Sequence, residues 1–163
     1  MNYKITLFLL LALVPVIFSQ QVPVGCVEIR NFKIKRFLVK SRRDNNQRRH
    51  VSYAEVAQQW IIEKQGDHYK ISHAETKEPL YETDGKHVYT LLARTDQGTM
   101  DDWIITPSGK RGCFYIKNVK TQHCLHTNGF FNMVNAYGDC QGESYEWQIR
   151  QFKCKHPAEI LKK

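Results

Sequence analysis

After Phe18 the chain of 163 residues contains no long apolar run. That excludes a membrane-spanning helix further along, because such a helix needs about 20 consecutive apolar residues. No window carries a sustained apolar stripe at 3.6-residue spacing, so a helical bundle is excluded as well; the best helical candidate, Val51 to Trp60, is accounted for by a repeat described below. There is no nucleophile elbow, phosphate loop or paired-ligand motif, and scattered Ser, His and Asp are ordinary background in such a chain. The chain is therefore read as a non-enzyme with no cofactor. Among seven histidines only His123-Cys124-Leu125-His126 forms a cluster, and no second Cys/His pair stands at a matching distance to complete a zinc site.

What is present begins with an export signal. Lys4 precedes an apolar run from Ile5 to Phe18, too short to span a bilayer, followed by Ser19 as a small residue at a cleavage point. Residues 1–19 are read as a signal peptide and 20–26 as a short lead-in, so the protein is expected to be secreted. Five cysteines remain, at 26, 113, 124, 140 and 154. An oxidising compartment pairs thiols, and an odd count leaves one over; the protein is expected to be monomeric unless that one pairs between chains. Without Lys4 the chain holds 23 basic against 16 acidic residues. A net charge of this sign favours sulfated glycans, nucleic acid, polyphosphate or anionic membrane surfaces as partners.

The chain contains three tryptophans, Trp60, Trp103 and Trp147, spaced 43 and 44 residues apart, and each is followed two residues later by an isoleucine. A period of this length marks one supersecondary unit repeated along the chain. Ile29, Ile71 and Ile116 each precede a leucine by nine residues, at Leu38, Leu80 and Leu125, and the tryptophans follow those leucines by 22, 23 and 22 residues. The repeats are placed at 27–66, 67–110 and 111–153, with 154–163 as a tail. Within each, short two-residue alternation and turn pairs such as Asp84-Gly85, Gln97-Gly98 and Asn128-Gly129 predict about four strands. Alternation puts Trp and Ile of each Trp-x-Ile on one face, and a face repeated three times about an axis is a core layer. The tryptophans are expected to be buried and not to stack on a ligand. A closed all-β arrangement buries every such face and removes the sheet edges.

Three units of this length, each closing on Trp-x-Ile, resemble the ricin-B-type β-trefoil with its threefold Gln-x-Trp signature. The residue two before each tryptophan is Gln58, Asp101 and Tyr145, so this is a degenerate version of it. The resemblance covers essentially the whole mature chain and implies a six-stranded barrel capped by three hairpins. It also implies a Cys124–Cys140 disulfide within the third repeat. In a closed barrel the first and last strands meet, so Cys26–Cys154 is the expected second bridge and Cys113 the odd thiol; Cys26–Cys113 remains an alternative, because Cys113 precedes Ile116 as Cys26 precedes Ile29. In lectin members of that family, sugar binding uses an aspartate at positions that correspond here to Val39, Tyr81 and His126. The residues three before the tryptophans, Ala57, Met100 and Ser144, restore no strong polar partner. Only the third repeat keeps a candidate glycan pocket, His126, Asn135 and Tyr137.

The other candidate surface is electrostatic. Arg30, Lys33, Lys35, Arg36, Lys40, Arg42, Arg43, Arg48 and Arg49 crowd the first repeat, interrupted by Asp44 alone, and residues 27–63 carry +5 against +2 for 64–163. Guanidinium forks suit sulfate and phosphate. The loops Lys33 to Arg36 and Ser41 to Arg49 are expected to form one patch for an anionic glycan of the heparan sulfate kind or another polyanion. Nucleic acid is the weaker candidate, since no aromatic residue interrupts the run between Phe37 and Tyr53 to stack bases. The alternatives are a neutral-glycan lectin working through the third repeat, and a protease-inhibiting or protein-binding trefoil that offers Arg42 to Arg49 to a host or cell-surface protein. The last resembles effectors that feeding animals release in saliva.

Overall fold

Short alternating runs separated by turn residues build four strands in each repeat, as the two-residue periodicity requires. In a computed structural model of the protein, the described residues are 20–45, 47–83, 85–92 and 100–154, with side chains omitted at 43–45. The predicted signal peptide, the Gln97-Gly98 turn and residues 155–163 lie outside them. The first repeat contributes β1 (Gly25–Asn31), β2 (Phe37–Asn45), β3 (Arg48–Ala54) and β4 (Trp60–Gln65). The second contributes β5 (His68–His73), β6 (Leu80–Glu82), β7 (Val88–Leu91) and β8 (Asp102–Pro107), and the third β9 (Cys113–Asn118), β10 (Cys124–His126), β11 (Asn135–Tyr137) and β12 (Trp147–Gln151).

The first and fourth strands of each repeat close a barrel. Antiparallel pairing runs β1 to β4, β4 to β5, β5 to β8, β8 to β9, β9 to β12 and from β12 back to β1. Closure pairs every barrel strand on both sides. The middle strands form the hairpins β2–β3, β6–β7 and β10–β11. This is a β-trefoil.

The core is threefold, and its residues are those of the spacing pattern. Ile29, Ile71 and Ile116, Leu38, Leu80 and Leu125, the three tryptophans, and Ile62, Ile105 and Ile149 all belong to one buried cluster. All three tryptophans are 0 % exposed. Each indole N–H donates to the carbonyl of a leucine in the second strand of the same repeat: Trp60 to Leu38 at 2.9 Å, Trp103 to Leu80 at 3.0 Å and Trp147 to Leu125 at 2.9 Å. A buried indole N–H without an acceptor would oppose folding, so the 22- or 23-residue separation has a physical cause.

Turns between the first and second strands follow a second threefold rule. Asn31, His73 and Asn118 donate their backbone N–H groups to Arg36, Glu78 and His123. Four residues after each stands a side chain with left-handed backbone: Lys35 (φ 57°), Lys77 (φ 58°) and Gln122 (φ 61°). In the first and third repeats the asparagine amide also crosses to the preceding unit around the barrel, Asn31 to the Ser144 carbonyl at 2.9 Å and Asn118 to the Met100 carbonyl at 2.8 Å.

Two disulfides are formed, Cys26–Cys154 and Cys124–Cys140, and Cys113 is buried. The register decides against Cys26–Cys113. Val27 lies opposite Gln151, and the Phe152 N–H bonds the Cys26 carbonyl at 2.8 Å, which brings Cys154 to Cys26, whereas Cys113 faces Gln148. Cys26–Cys154 closes a loop with a separation of 128 residues. Such a loop is worth about 4–5 kcal/mol in the chain-entropy account.

Replacing any one of the three tryptophans by phenylalanine strands the leucine carbonyl and leaves a void, and the geometry is the same in all three repeats. Trp60→Phe, Trp103→Phe and Trp147→Phe are each expected to cost at least about 1–3 kcal/mol. Urea unfolding reads this as a lowered midpoint with unchanged slope.

Candidate functional site

The substitution of His73 for asparagine in the second repeat shapes the cleft beside it. Its Nδ1 lies 3.1 Å from Thr76 Oγ1, and its ring meets Trp60 edge to face at 5.5 Å. Around it opens a cleft of about 760 Å³ between the first and second repeats, lined by Lys40, Arg42, Arg49 and Lys77, with Gln58 and Glu75 among the other walls. Gln58, two residues before Trp60, has a framework role here: its Oε1 accepts the Lys40 backbone N–H at 2.8 Å.

Glu78, buried beneath the cleft, organises the cations. Lys40 Nζ lies 3.2 Å from its Oε1 and 3.0 Å from Thr76 Oγ1, Arg49 Nε is 3.6 Å from the same carboxylate oxygen, and Thr90 Oγ1 donates to Oε2 at 2.7 Å. Burial alone would raise the Glu78 pKa; the hydrogen bonds from Thr90 and Lys40 outweigh it and hold the carboxyl below its ordinary value. Glu78 thus stays ionised and fixes two cations at the wall, while Arg42 and Lys77 stand exposed at the rim. The arrangement is suited to holding an anion, because four cations outnumber two carboxylates, Glu75 in the lining and Glu78 beneath it.

The structure does not gather the nine predicted basic residues into one patch. Ser41 to Asn45 and Arg48 to Arg49 are strand residues and not a protruding loop, and strand alternation sends Arg48 and Arg49 to opposite faces. Lys40, Arg42 and Arg49 reach the cleft. Arg48 instead lies 4.3 Å over the Tyr89 ring, above a satellite cluster of Tyr81, Tyr89 and Leu91. Arg30 donates to the Lys35 carbonyl at 3.0 Å, Arg36 pairs with Glu55, and Lys35 sits 3.6 Å over Phe32. Lys33 is exposed in the β1–β2 turn, and the Arg43 side chain lies outside the described residues. The main chain of Arg48 and Arg49 pairs with β2 on one side and β7 on the other, so it is not an offered loop. Lys77 and His73 went unpredicted, because their link to the first repeat is made only by the fold; the nine-residue Ile-to-Leu spacing that equates Lys77 with Lys35 was the available signal.

His126, Asn135 and Tyr137 do come together. They line one pocket of about 360 Å³, with Thr127, Asn128, Phe130, Phe131, Met133 and Tyr145 as the remaining walls. The His126 ring packs against Tyr137 at 5.3 Å and Tyr145 at 4.4 Å. Burial, and then Lys33, lower its pKa, so the ring is neutral at neutral pH. Asn135 Oδ1 is buried with no donor among the described residues. Val39 and Tyr81, which follow Leu38 and Leu80 as His126 follows Leu125, are buried. His123, of the histidine cluster, is turned away to Glu82 at 2.6 Å, and Cys124 is in a disulfide.

No protein-family model matches the sequence, and no curated protein does. Among solved structures, a salivary protein from Culex quinquefasciatus of the Cysteine and Tryptophan-Rich (CWRC) family is 36 % identical over 82 % of this chain and 97 % of its own, with a TM-score of 0.77. The designed threefold-symmetric protein ThreeFoil is similar in fold alone, at 13 % identity over 78 % of this chain and 99 % of its own and a TM-score of 0.68. So is a proteinase inhibitor from Coprinopsis cinerea, at 16 % identity over 81 % of this chain and all of its own, with a TM-score of 0.66.

The cleft carries a pH signature. Burial, then the Lys40 charge, push the His73 pKa below its ordinary 6.5. The unfolded chain therefore takes up the proton first, and stability is complete above about pH 6.5 and falls as the pH drops toward the folded value. His126 contributes with the same sign. His73→Asn, the residue found at the two equivalent turns, is expected to shrink this acid-side loss while changing stability at pH 8 by no more than about 1 kcal/mol. Denaturant midpoints measured from pH 8 to pH 5 provide the check, and an unchanged acid limb would exclude His73 as a contributor.

Proposed function

The chain belongs to the Cysteine and Tryptophan-Rich (CWRC) family, and from that membership we propose that it is a secreted, non-catalytic binding protein whose ligand is an extracellular polyanion of the sulfated-glycan kind. The observation that carries the reading is the convergence of Lys40, Arg42, Arg49 and Lys77 on one cleft between the first two repeats. Lys40 and Arg49 are oriented by Glu78 and supply fixed donors, while Arg42 and Lys77 at the rim remain adjustable to sulfate spacing. Ordering part of the site in advance lowers the entropy lost on binding. The contacts lie near the surface, so the interaction is salt-sensitive; the Debye length is about 8 Å at physiological ionic strength.

This localises the test. Arg42→Ala with Lys77→Asn removes the rim charges without stranding Glu78, and asparagine tolerates the left-handed backbone at position 77. The double variant should elute from a heparin column at clearly lower salt than the wild type. Lys35→Asn with Arg36→Ala removes the same charge away from the cleft and should shift elution much less. If the two variants shift alike, the protein binds by net charge and the cleft reading fails.

A second reading, a neutral-glycan site, is favoured by one observation: His126, Asn135 and Tyr137 share an aromatic pocket whose Asn135 carbonyl oxygen lacks a donor. Sugars present an apolar face for ring stacking and hydroxyls for such an acceptor. On a glycan array, any signal from this pocket should vanish in Tyr137→Ala and persist in Arg42→Ala. Signals that survive Tyr137→Ala would remove the pocket from consideration.

A further inference from the structure

Phe130 and Phe131 are 67 % and 92 % exposed, adjacent, and at the tip of the loop between β10 and β11. The loop is not loosely held. The Phe130 N–H bonds Asn128 Oδ1 at 3.1 Å, and Thr127 Oγ1 donates to the Met133 carbonyl at 3.1 Å. From the first repeat, Tyr53 and Ser52 donate their hydroxyls to the Gly129 and Asn132 carbonyls, and the Val134 N–H returns to the Val51 carbonyl at 3.1 Å. Gly129, at φ 89°, sits so close to the β1–β2 turn that an added Cβ would stand 3.2 Å from Ile34 Cγ2. Phe131 (φ 60°) and Asn132 (φ 49°) occupy left-handed backbone, which a bulky residue adopts only against a cost. Two large apolar rings are thus held out in water by a braced loop.

The charges around the tip point to its partner. Exposed Lys33 is close enough to His126 to bear on its protonation, and Lys86 Nζ lies 5.4 Å from the Tyr137 ring centre. Among the described residues no carboxylate lines the pocket behind the rings. On the neighbouring turn Glu143 and Glu146 are taken up by Lys110 at 3.1 and 3.0 Å, and Asp139 lies beside Tyr145. Exposed rings that share a pocket with His126 and Tyr137, the residues the two lysines approach, match the boundary of an anionic bilayer, where rings enter below the headgroups and ammonium groups meet phosphate and carboxylate. A convex tip suits a deformable surface, whereas a protein partner would need a hole shaped to receive it.

We propose that the Phe130–Phe131 tip, with Lys33 and Lys86, docks the protein on anionic phospholipid membranes. This surface is separate from the cleft of the first two repeats and does not depend on that assignment.

The test is sedimentation of the full protein with unilamellar vesicles of phosphatidylcholine, alone or mixed with phosphatidylserine. The wild type should sediment with the mixed vesicles and much less with phosphatidylcholine alone. Phe130→Ser with Phe131→Asn should lower vesicle affinity at least about tenfold, the cost of losing one buried ring, while heparin elution stays unchanged. Lys33→Glu with Lys86→Asn should abolish the preference for phosphatidylserine. Because the native tryptophans are all buried, Phe131→Trp adds an exposed reporter whose emission should shift to the blue on mixed vesicles. Failure of the wild type to sediment, wild-type affinity in the double phenylalanine variant, or an unshifted reporter overturns the proposal. So does a phenylalanine-dependent complex with a protein in the absence of vesicle binding.

Discussion

The hydrogen bond from each tryptophan indole to a leucine carbonyl is the constraint on which the rest of the structure depends. It joins two layers: the tryptophan opens the fourth strand of its repeat, in the barrel, and the leucine lies in the second strand, in the hairpin cap. In the closed core no water is available to substitute, so the ring must bring its N–H to that carbonyl or remain unpaired at a cost of several kcal/mol. Three such links fix the hairpins to the barrel at equal intervals. The turns after the first strand of each repeat then carry the symmetry outward, with Phe32, Ala74 and Val119 donating to the carbonyls of Glu146, Gln59 and Asp102, each one residue before a tryptophan.

With the frame held in common, the chemistry differs where one framework position is filled differently. Two residues before the tryptophan stand Gln58, Asp101 and Tyr145. Gln58 accepts the Lys40 N–H and shapes the wall of a cationic cleft; Asp101 takes Lys70 Nζ at 2.6 Å in an ion pair; Tyr145 packs on His126 and helps to line an aromatic pocket. The hairpins also join one another in three distinct ways. The first meets the second by strand pairing of β3 with β7, the second meets the third through the Lys86 carbonyl and the Ala136 N–H at 2.9 Å, and the third returns to the first through the braced loop from 128 to 134. Each seam has its own shape, and the two seams flanking the first hairpin carry the features that can hold a ligand.

This explains which parts of the molecule were legible in the sequence. The trefoil was, because Ile, Leu and Trp occupy symmetric core positions and their contacts recur within each repeat at fixed spacing. The turn residues Asn31 and Asn118 were visible as turn markers, though their amide bonds to a neighbouring repeat were not. The basic run was misread as one surface because linear charge density carries no strand direction. Arg48 and Arg49 are neighbours in sequence, yet one lies on Tyr89 and the other turns to Glu78. Glu78 itself is 38 residues from Lys40 and takes its place only when β6 and β7 pack beside β3. The third-repeat pocket was easier to find, since His126, Asn135 and Tyr137 face one another across a single hairpin.

The division between barrel and cap also limits where function can lie. Barrel strands are paired on both sides and bury their tryptophans and most of their isoleucines, so the charged and aromatic groups a ligand could contact come mainly from the hairpins and turns. Residues in the cap are freer, but an exposed phenylalanine pair or a set of like charges opposes folding, and something must offset it. The Cys26–Cys154 bridge acts on the unfolded chain by joining residues 128 positions apart. The tryptophan links act on the folded state and are identical in all three repeats. Cys26 and Cys154 stand in the cleft wall but carry no charge, and the tryptophans line neither the cleft nor the aromatic pocket. Stability is thus supplied by core residues that the symmetry repeats together with one bridge that it does not, and the hairpin surfaces are left to differ: one seam gathers Lys40, Arg42, Arg49 and Lys77, and the other holds Phe130 and Phe131 out in solvent.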